Sequence, residues 1–159
     1  MGLKNVVKLD ENEKAWLLLS RTLRALERAR EIELERFDLS PIEAAVLHAL
    51  ITADETVIPA KLSRWLYREP HTMSGLLNRM EDKGLVKKSK DLEKKNLVRV
   101  TLTKKGEQAF HQQWDARIVP KITSFLSKKE LDNLEECLNK LEGKALGLIR
   151  DLQPLPYRL

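Results

Sequence analysis

Residues 70–82 place polar side chains opposite an apolar stripe at helical spacing. Met73, Leu76, Leu77 and Met80 recur at i, i+3, i+4 and i+7, which predicts an amphipathic helix with this stripe in the core. The opposite side and its flanks carry His71, Thr72, Ser74, Gly75, Asn78 and Arg79. Asparagine and arginine can form two hydrogen bonds to a base edge in the major groove, and the amides at a helix N-terminus can receive a phosphate. The pattern therefore predicts a DNA recognition helix, in which Gly75 leaves space for the helix to approach DNA closely.

Individual members of this face also permit plainer roles. His71 fits an exposed first turn that contacts nothing, and Arg79 is spaced for an ion pair with Glu69 or Asp82 across a helical turn. The sequence alone leaves both interpretations open.

Two β-prone runs follow, at residues 85–90 and 96–103, and the charged stretch 91–95 joins them. In the second run, Val98, Val100 and Leu102 alternate with polar residues, which predicts one strand of a two-stranded hairpin. The hairpin carries Asp91 and six basic residues, namely Lys87, Lys88, Lys90, Lys94, Lys95 and Arg99. Such residues either neutralise phosphates, which gives affinity without reading sequence, or are merely solvated.

Helix signals precede this hairpin. Residues 40–43, Ser-Pro-Ile-Glu, combine an N-cap serine with a first-turn proline and the glutamate of a capping box. The nearly apolar run up to about residue 52 predicts a central helix that is buried all round. A very short strand at residues 57–58 and a short helix ending near residue 67 are expected next. Gly84 stops the recognition helix.

The order of helix, helix, glycine stop and hairpin is that of a helix-turn-helix followed by a wing. Charge follows the same division, because residues 57–106 hold 13 Lys and Arg against 5 Asp and Glu, a net charge of +8, within a chain of net charge +5. A basic middle between mildly acidic flanks suits a segment that meets a polyanion, although a solvated lysine-rich face gives the same count.

Long helices are predicted on both sides of this middle segment. Residues 10–36 begin with a capping box of Asp10 and Glu13 and continue as an amphipathic helix. A further apolar stripe runs from about residue 109 to residue 125, with a kink or break expected at Pro120. After Ser127 the spacing becomes that of an a/d heptad repeat. We call its members the leucine seam: Leu131, Leu134, Leu138, Leu141, Ala145, Leu148 and Leu152.

Composition excludes several classes of protein. The 159 residues suffice for about one domain, and the low content of glycine, proline and aromatic residues favours helices. No apolar run approaches the ~18 residues of a membrane span, and the N-terminus lacks a signal-peptide core, so a cytoplasmic protein is expected.

Cys137 is the single cysteine, and two glutamates precede it, which disfavours a reactive thiolate. The spacing of the three histidines suggests no metal site or other cofactor, and no catalytic motif indicates an enzyme.

Residues 39–106 resemble the winged-helix core of the MarR family of transcriptional regulators. The resemblance rests on Leu39-Ser40-Pro41, on residues 62–66 and 70–86 without a gap, and on Asp91, Lys94-Lys95 and Leu102-Thr103-Lys104-Lys105-Gly106 at the family's wing spacing. It implies a mainly α fold with a small β wing. Residues 1–38 and 107–159 would then be dimerisation helices around a DNA-binding domain at residues 39–106.

The resemblance also implies a homodimer that binds a pseudo-palindromic DNA operator, most simply as a repressor. In the family, an arginine at the position of Lys95 enters the minor groove and is held by an aspartate like Asp91. Lysine keeps the charge there but lacks the planar guanidinium fork. Tyr67 stands where the family often has glycine, and Glu69 stands where it has a small capping residue.

Members of the family often bind effectors between the dimerisation helices and the winged domain. Here the corresponding crevice would be lined by Trp16, Leu19, His48 and Trp65, and its ligand would be a small aromatic or phenolic molecule. These residues also suit an ordinary core. A winged-helix protein-interaction module that no longer binds DNA is the alternative function.

Overall fold

A computed structural model describes residues 9–90 and 97–152 of the chain. They form seven α-helices, a single 3-10 turn and one two-stranded antiparallel sheet, which confirms the predicted mainly α fold with a β wing. The helices are α1 (Glu11–Leu34), α2 (Pro41–Thr52), α3 (Pro59–Trp65), α4 (Pro70–Asp82), α5 (Lys104–Asp115), α6 (Val119–Thr123) and α7 (Lys128–Leu152). The 3-10 turn is Glu35–Phe37, and the strands are β1 (Val86–Lys90) and β2 (Val98–Leu102).

Capping boxes begin α1, α2 and α7, as the sequence predicts. In α1 the amide of Glu13 donates to the Asp10 carboxylate over 2.7 Å, and the amide of Asp10 donates back to the Glu13 carboxylate over 2.9 Å. Ser127 and Glu130 make the same reciprocal pair before α7. Each box satisfies backbone donors that a helix N-terminus otherwise leaves unpaired.

The capping box of α2 is also tied to the end of α4. The buried Glu43 carboxylate accepts from the amide and hydroxyl of Ser40, and its Oε1 lies 3.2 Å from the Lys83 ammonium. Burial alone would raise the pKa of Glu43, but the Ser40 hydrogen bonds and the Lys83 charge outweigh it and hold the pKa below its usual value. This cluster therefore fixes the start of α2 against the C-terminal end of α4.

The core lies between α2, α3, α4 and the sheet, and the apolar stripe of α4 is fully inside it. The prediction that α2 is buried all round is wrong. Val46 and Leu47 are buried, whereas His48 and Ile51 are exposed. The elements that pack against α2, namely α1, α5 and β2, leave part of its surface uncovered within the protomer.

Gly84 closes α4 as predicted, because it adopts a left-handed φ of 73°. The amide of Gly84 donates to Glu81 O over 2.8 Å, and the amide of Leu85 donates to Met80 O over 2.9 Å, which is a Schellman motif. The chain then enters β1, which pairs with β2 in the register Val86 to Leu102 through Lys90 to Val98. The two strands and the tip between them are the wing.

Residues 57–58 do not form the short strand expected from the sequence. A single hydrogen bond of 2.9 Å, from the amide of Val100 to Val57 O, joins them to β2. Pro59 begins α3 immediately afterwards and has no amide hydrogen, so the pairing cannot continue.

The apolar stripe after residue 103 is divided between two helices. α5 ends at Asp115 and α6 starts at Val119, so the chain breaks before Pro120 instead of bending at it. Pro120 then lies in the first turn of α6, where its missing amide hydrogen costs no helical hydrogen bond.

Long apolar surfaces remain uncovered on α1 and α7. The five leucines of the seam whose side chains are large and exposed, Leu131, Leu134, Leu138, Leu141 and Leu148, keep between 38% and 53% of their surface accessible. On α1, Trp16 is 67% exposed and Leu23 is 53% exposed. None of the helices in the described ranges has an apolar stretch long enough to cross a bilayer.

Candidate DNA-binding surface

The outer face of α4 consists of His71, Thr72, Ser74, Gly75, Asn78 and Arg79, as the sequence predicts from the buried stripe opposite. All six except Gly75, which is half-buried, are exposed. The Thr72 hydroxyl lies 3.3 Å from His71 Nε2, and the Ser74 hydroxyl donates to Pro70 O over 3.0 Å. Ser74 thus uses its own donor within the helix and presents acceptor capacity outward.

The turn before α4 is held by a buried side chain. The hydroxyl of Ser63, which is only 4% exposed, donates to Arg68 O, and the amide of Arg68 donates to Ser63 O over 2.9 Å. Between them Tyr67 has a left-handed φ of 49°, a conformation that glycine adopts most readily. Glu69 occupies the N-cap of α4 without a side-chain capping bond, so the first-turn amides of α4 point outward uncapped.

The Arg79 guanidinium lies along the outer face beside Gly75. A Cβ atom at Gly75 would sit 3.7 Å from Arg79 Nη1, which is ordinary contact. In residues 9–90 and 97–152, Arg79 has no ion pair with Glu69 or Asp82, so the plainer role that the spacing permits is not realised there.

Glu81 joins the wing to α4, a role that its position in the sequence does not indicate. Its carboxylate accepts from the Lys88 amide over 2.8 Å and from the Lys88 ammonium over 2.9 Å. These two interactions, the backbone hydrogen bond first, lower the pKa of Glu81. The Lys88 ammonium also donates to Asn78 Oδ1, so two residues predicted to face DNA independently are bonded to each other.

The hairpin divides its basic residues between its two sides. Along β1, Lys88 and Lys90 lie on one side of the hairpin and Lys87 lies on the other. The register pairs Arg99 with Ser89, which places Arg99 on the same side as Lys87. Lys87, Lys90 and Arg99 are exposed, whereas Lys88 is half-buried against α4. The predicted contacts of Asp91, Lys94 and Lys95 at the tip lie outside the described residues.

The predicted effector residues separate into two groups. His48 and Trp65 line one cleft of about 640 Å³, together with Ala49, Thr52, Ala53, Asp54 and Glu55. Trp16 and Leu19 lie on α1 and do not line this cleft. The His48 ring is 5.3 Å from the ring of Trp114, which lies on α5 within the apolar stripe predicted from about residue 109 to residue 125.

A long-range contact connects the turn before α4 to α7. The Tyr67 hydroxyl donates to Glu142 Oε1 over 2.9 Å, which raises the pKa of Tyr67. The helix that carries the leucine seam is thus bonded to the segment that orients α4.

The described residues offer no metal centre, because no group of three or more His, Cys, Asp or Glu side chains is suitably clustered within them. Cys137 lies exposed on α7.

Comparisons with known proteins agree with this architecture. The sequence profile described as MarR family matches residues 37–95, which span α2 through β1. No curated protein sequence matches the chain. The ligand-free structure of the organohalide-sensing transcriptional regulator RdhR is 30% identical, with a TM-score of 0.81, over 99% of this chain and 97% of the other. Its form bound to 2,4-dichlorophenol matches at 29% identity and a TM-score of 0.82, with the same coverage.

A DNA complex is also among the similar structures. MepR of S. aureus bound to DNA matches 81% of this chain and 96% of its own, at 20% identity and a TM-score of 0.72, which shows a shared fold. Combined with the family profile and the nearly full-length match at 30% identity, the winged helix and its flanking helices place this chain in the MarR family of transcriptional regulators.

Proposed function

We propose that this chain is a homodimeric repressor that binds a pseudo-palindromic operator and is released by a small aromatic effector. The observation that carries the proposal is the outer face of α4, a row of exposed hydrogen-bonding side chains beside a basic wing. In each subunit α4 would enter the major groove, and the wing would lie along the adjacent backbone and minor groove.

The N-terminus of α4 and the basic residues of the wing both support this docking. At its N-terminus the uncapped amides and the helix dipole favour a phosphate. On the wing, Lys87 and Lys90 extend into solvent, where their charges neutralise backbone phosphates. Arg79 lies between these regions, with a guanidinium able to bond both acceptors of a guanine edge.

The exposed apolar surfaces support the dimer. The leucine seam of α7 and the outer side of α1 present large side chains that are half-exposed in the protomer, which is unfavourable unless a second copy covers them. We assign residues 1–38 and 107–159 to this interface and residues 39–106 to DNA binding. Two recognition helices related by a two-fold axis would read half-sites about 10 base pairs apart.

Replacing Arg79 should change sequence preference, whereas replacing the wing lysines should change affinity. Arg79→Ala is expected to reduce discrimination between operator and unrelated DNA by ~5- to 100-fold, because one bidentate base contact is lost. Lys87→Ala with Lys90→Ala should weaken binding to every sequence and lower the slope of log K against log salt by about 2. Fluorescence anisotropy on operator and scrambled duplexes, titrated with salt, measures both effects.

DNA binding by the unaltered chain distinguishes this proposal from the protein-interaction alternative. Absence of binding to any genomic fragment at low salt would refute the DNA-binding role. An equal loss of affinity for all sequences in Arg79→Ala would instead show that Arg79 contacts only the backbone.

We infer that the effector is a chlorinated or simple phenol bound in the cleft between His48 and Trp65. The rings of His48 and Trp65 form the two aromatic walls of the cleft, and the nitrogens of His48 give it a polar edge. The similar regulator RdhR has a form with bound 2,4-dichlorophenol. The cleft borders both α2 and α3, so a ligand there would alter how α3 and the following α4 rest on the core.

Loss of His48 or Trp65 should weaken phenol binding. His48→Leu and Trp65→Ala are each expected to raise the dissociation constant for 2,4-dichlorophenol at least ~10-fold, since each removes one wall or its polar partner. Calorimetric titration measures this, with His111→Leu as a matched control because His111 is exposed on α5 and outside the cleft. Unchanged affinity in both cleft variants would contradict this site.

A further inference from the structure

Three side chains form a short chain of hydrogen bonds between α4 and the wing. Glu81 accepts from both the amide and the ammonium of Lys88, and the ammonium donates in turn to Asn78 Oδ1. Lys88 retains only a quarter of its side-chain surface, while Asn78 is exposed on the outer face of α4. The last member of this chain is therefore the one that can meet a DNA base.

The chemistry of lysine fixes which way the Asn78 amide is turned. An ammonium group has three donors and no acceptor, so only the oxygen of a side-chain amide can face it. The opposite orientation would bring the NH₂ group of Asn78 against the positive charge of Lys88. Asn78 Oδ1 is thus directed at Lys88, and the two N–H donors of Nδ2 are directed elsewhere.

Glu81 keeps Lys88 in this position. Two interactions of 2.8 and 2.9 Å, one to the backbone and one to the side chain, bind Lys88 to a single carboxylate. The backbone hydrogen bond at Lys88, in the middle of β1, fixes where this strand lies relative to α4, and the ion pair fixes the direction of the Lys88 side chain. Asn78 is consequently oriented by a pair that belongs to the wing as much as to the helix.

This orientation bears on which base Asn78 can recognise. A free asparagine bonds adenine through both amide atoms, because its oxygen accepts from N6 and its nitrogen donates to N7. At Asn78 Oδ1, the partly positive amino group of adenine would have to share the oxygen with the Lys88 ammonium and would be repelled by its positive charge. Guanine presents two acceptors at the same edge, N7 and O6, and both suit a group that only donates.

We propose that Lys88, positioned by Glu81, makes Asn78 a hydrogen-bond donor that selects a G·C pair in each half-site over the A·T pair that asparagine usually reads. This inference rests on the proposed function, in that α4 must enter the major groove. Lys88 and Glu81 are positioning residues here, and Asn78 is the residue that contacts the base.

Selection of bound duplexes from a randomised pool tests the assignment, carried out in parallel for the full-length chain and four variants. Asn78→Ala identifies the base pair that Asn78 reads, as the position at which preference disappears. At that position the unaltered chain and Lys88→Arg, which also offers only donors, should select G·C. Lys88→Met and Glu81→Gln should shift the ratio of G·C to A·T about tenfold toward A·T.

The readout separates positioning from a mere loss of charge. If Lys88 acted only on a phosphate, Lys88→Met would weaken all duplexes without moving the base preference, and that result would overturn the inference. Selection of A·T by the unaltered chain at the Asn78 position, or the absence of any position affected by Asn78→Ala, would overturn it as well. Recovery of no duplex by the unaltered chain would refute the DNA-binding proposal itself, and this inference with it.

Discussion

A chain with glutamate at both Leu134 and Leu141 is expected to be monomeric in solution and to bind operator DNA at least ~100-fold more weakly. The two side chains are 43% and 53% exposed in the protomer, so their replacement leaves the core of the winged domain intact. In the proposed dimer they would be covered, and an unpaired carboxylate in an apolar interface costs several kcal/mol. A monomer also loses the second half-site.

Asn133→Glu with Asn139→Glu is the matched control for this variant. It adds the same two charges to exposed positions of the same helix, α7, but away from the leucine seam. Sedimentation equilibrium should give a dimer for the control and a monomer for the seam variant, and circular dichroism should show the same helical content in both. A dimeric seam variant, or an unaltered chain that is already monomeric, would contradict the assigned interface.

Local signals explain why so much of the winged domain can be predicted from the sequence. The stripe of α4 and its stop at Gly84 depend on residues within a few positions of each other, and the structure reproduces both. The capping box at Ser40 and Glu43 is local in the same sense. Such features follow from helix geometry and backbone stereochemistry, which do not depend on the rest of the fold.

Contacts between separate elements are what the sequence does not reveal. Lys88 reaches Glu81 and Asn78 only because the Schellman turn reverses the chain by an angle that spacing alone does not give. Tyr67 meets Glu142 across 75 positions of sequence. Arg30 and the buried Gln113 are likewise bonded across 83 positions, and this pairing joins α1 to α5.

The sequence overestimates the burial of α2 for a related reason. The sequence shows that this helix is apolar on nearly all sides. The number of elements available to cover those sides is a property of the whole fold. The neighbours of α2 leave part of it uncovered, and Ala49 borders the cleft beside His48. A surplus of apolar residues on a helix can thus mark a cleft or an interface as well as a core.

The glycine at the start of α5 shows how a short motif can hide a packing requirement. Leu102-Thr103-Lys104-Lys105-Gly106 resembles a family pattern, and its threonine has a visible role. The Thr103 hydroxyl caps α5 by accepting from the Gly106 amide over 3.0 Å, and it donates to Gly84 O over 2.6 Å. Gly106 is required for a different reason, since a Cβ atom there would lie 2.0 Å from Leu85 O.

Gly106→Ala is therefore expected to lower the free energy of unfolding by about 3 kcal/mol, at the upper end of the cost of overpacking a core. The clash is with backbone, so no side-chain rotation relieves it. Leu85 O also accepts from the Thr103 amide over 3.1 Å, so moving it would disturb the junction between α4, the wing and α5. Operator affinity should fall as well, because that junction sets the position of the wing.

Gly143→Ala is the matched control, since no atom lies within 4 Å of its added Cβ on α7. Alanine in an exposed helix interior is favoured over glycine by about 0.5–1 kcal/mol, so this variant should be slightly more stable. Urea unfolding at one fixed protein concentration compares the two, because the stability of a dimer depends on concentration. Equal stability of Gly106→Ala and the unaltered chain would show that α5 can move away from Leu85 without cost. The wing would then be held by Glu81 and Lys88 instead of by close packing at Gly106.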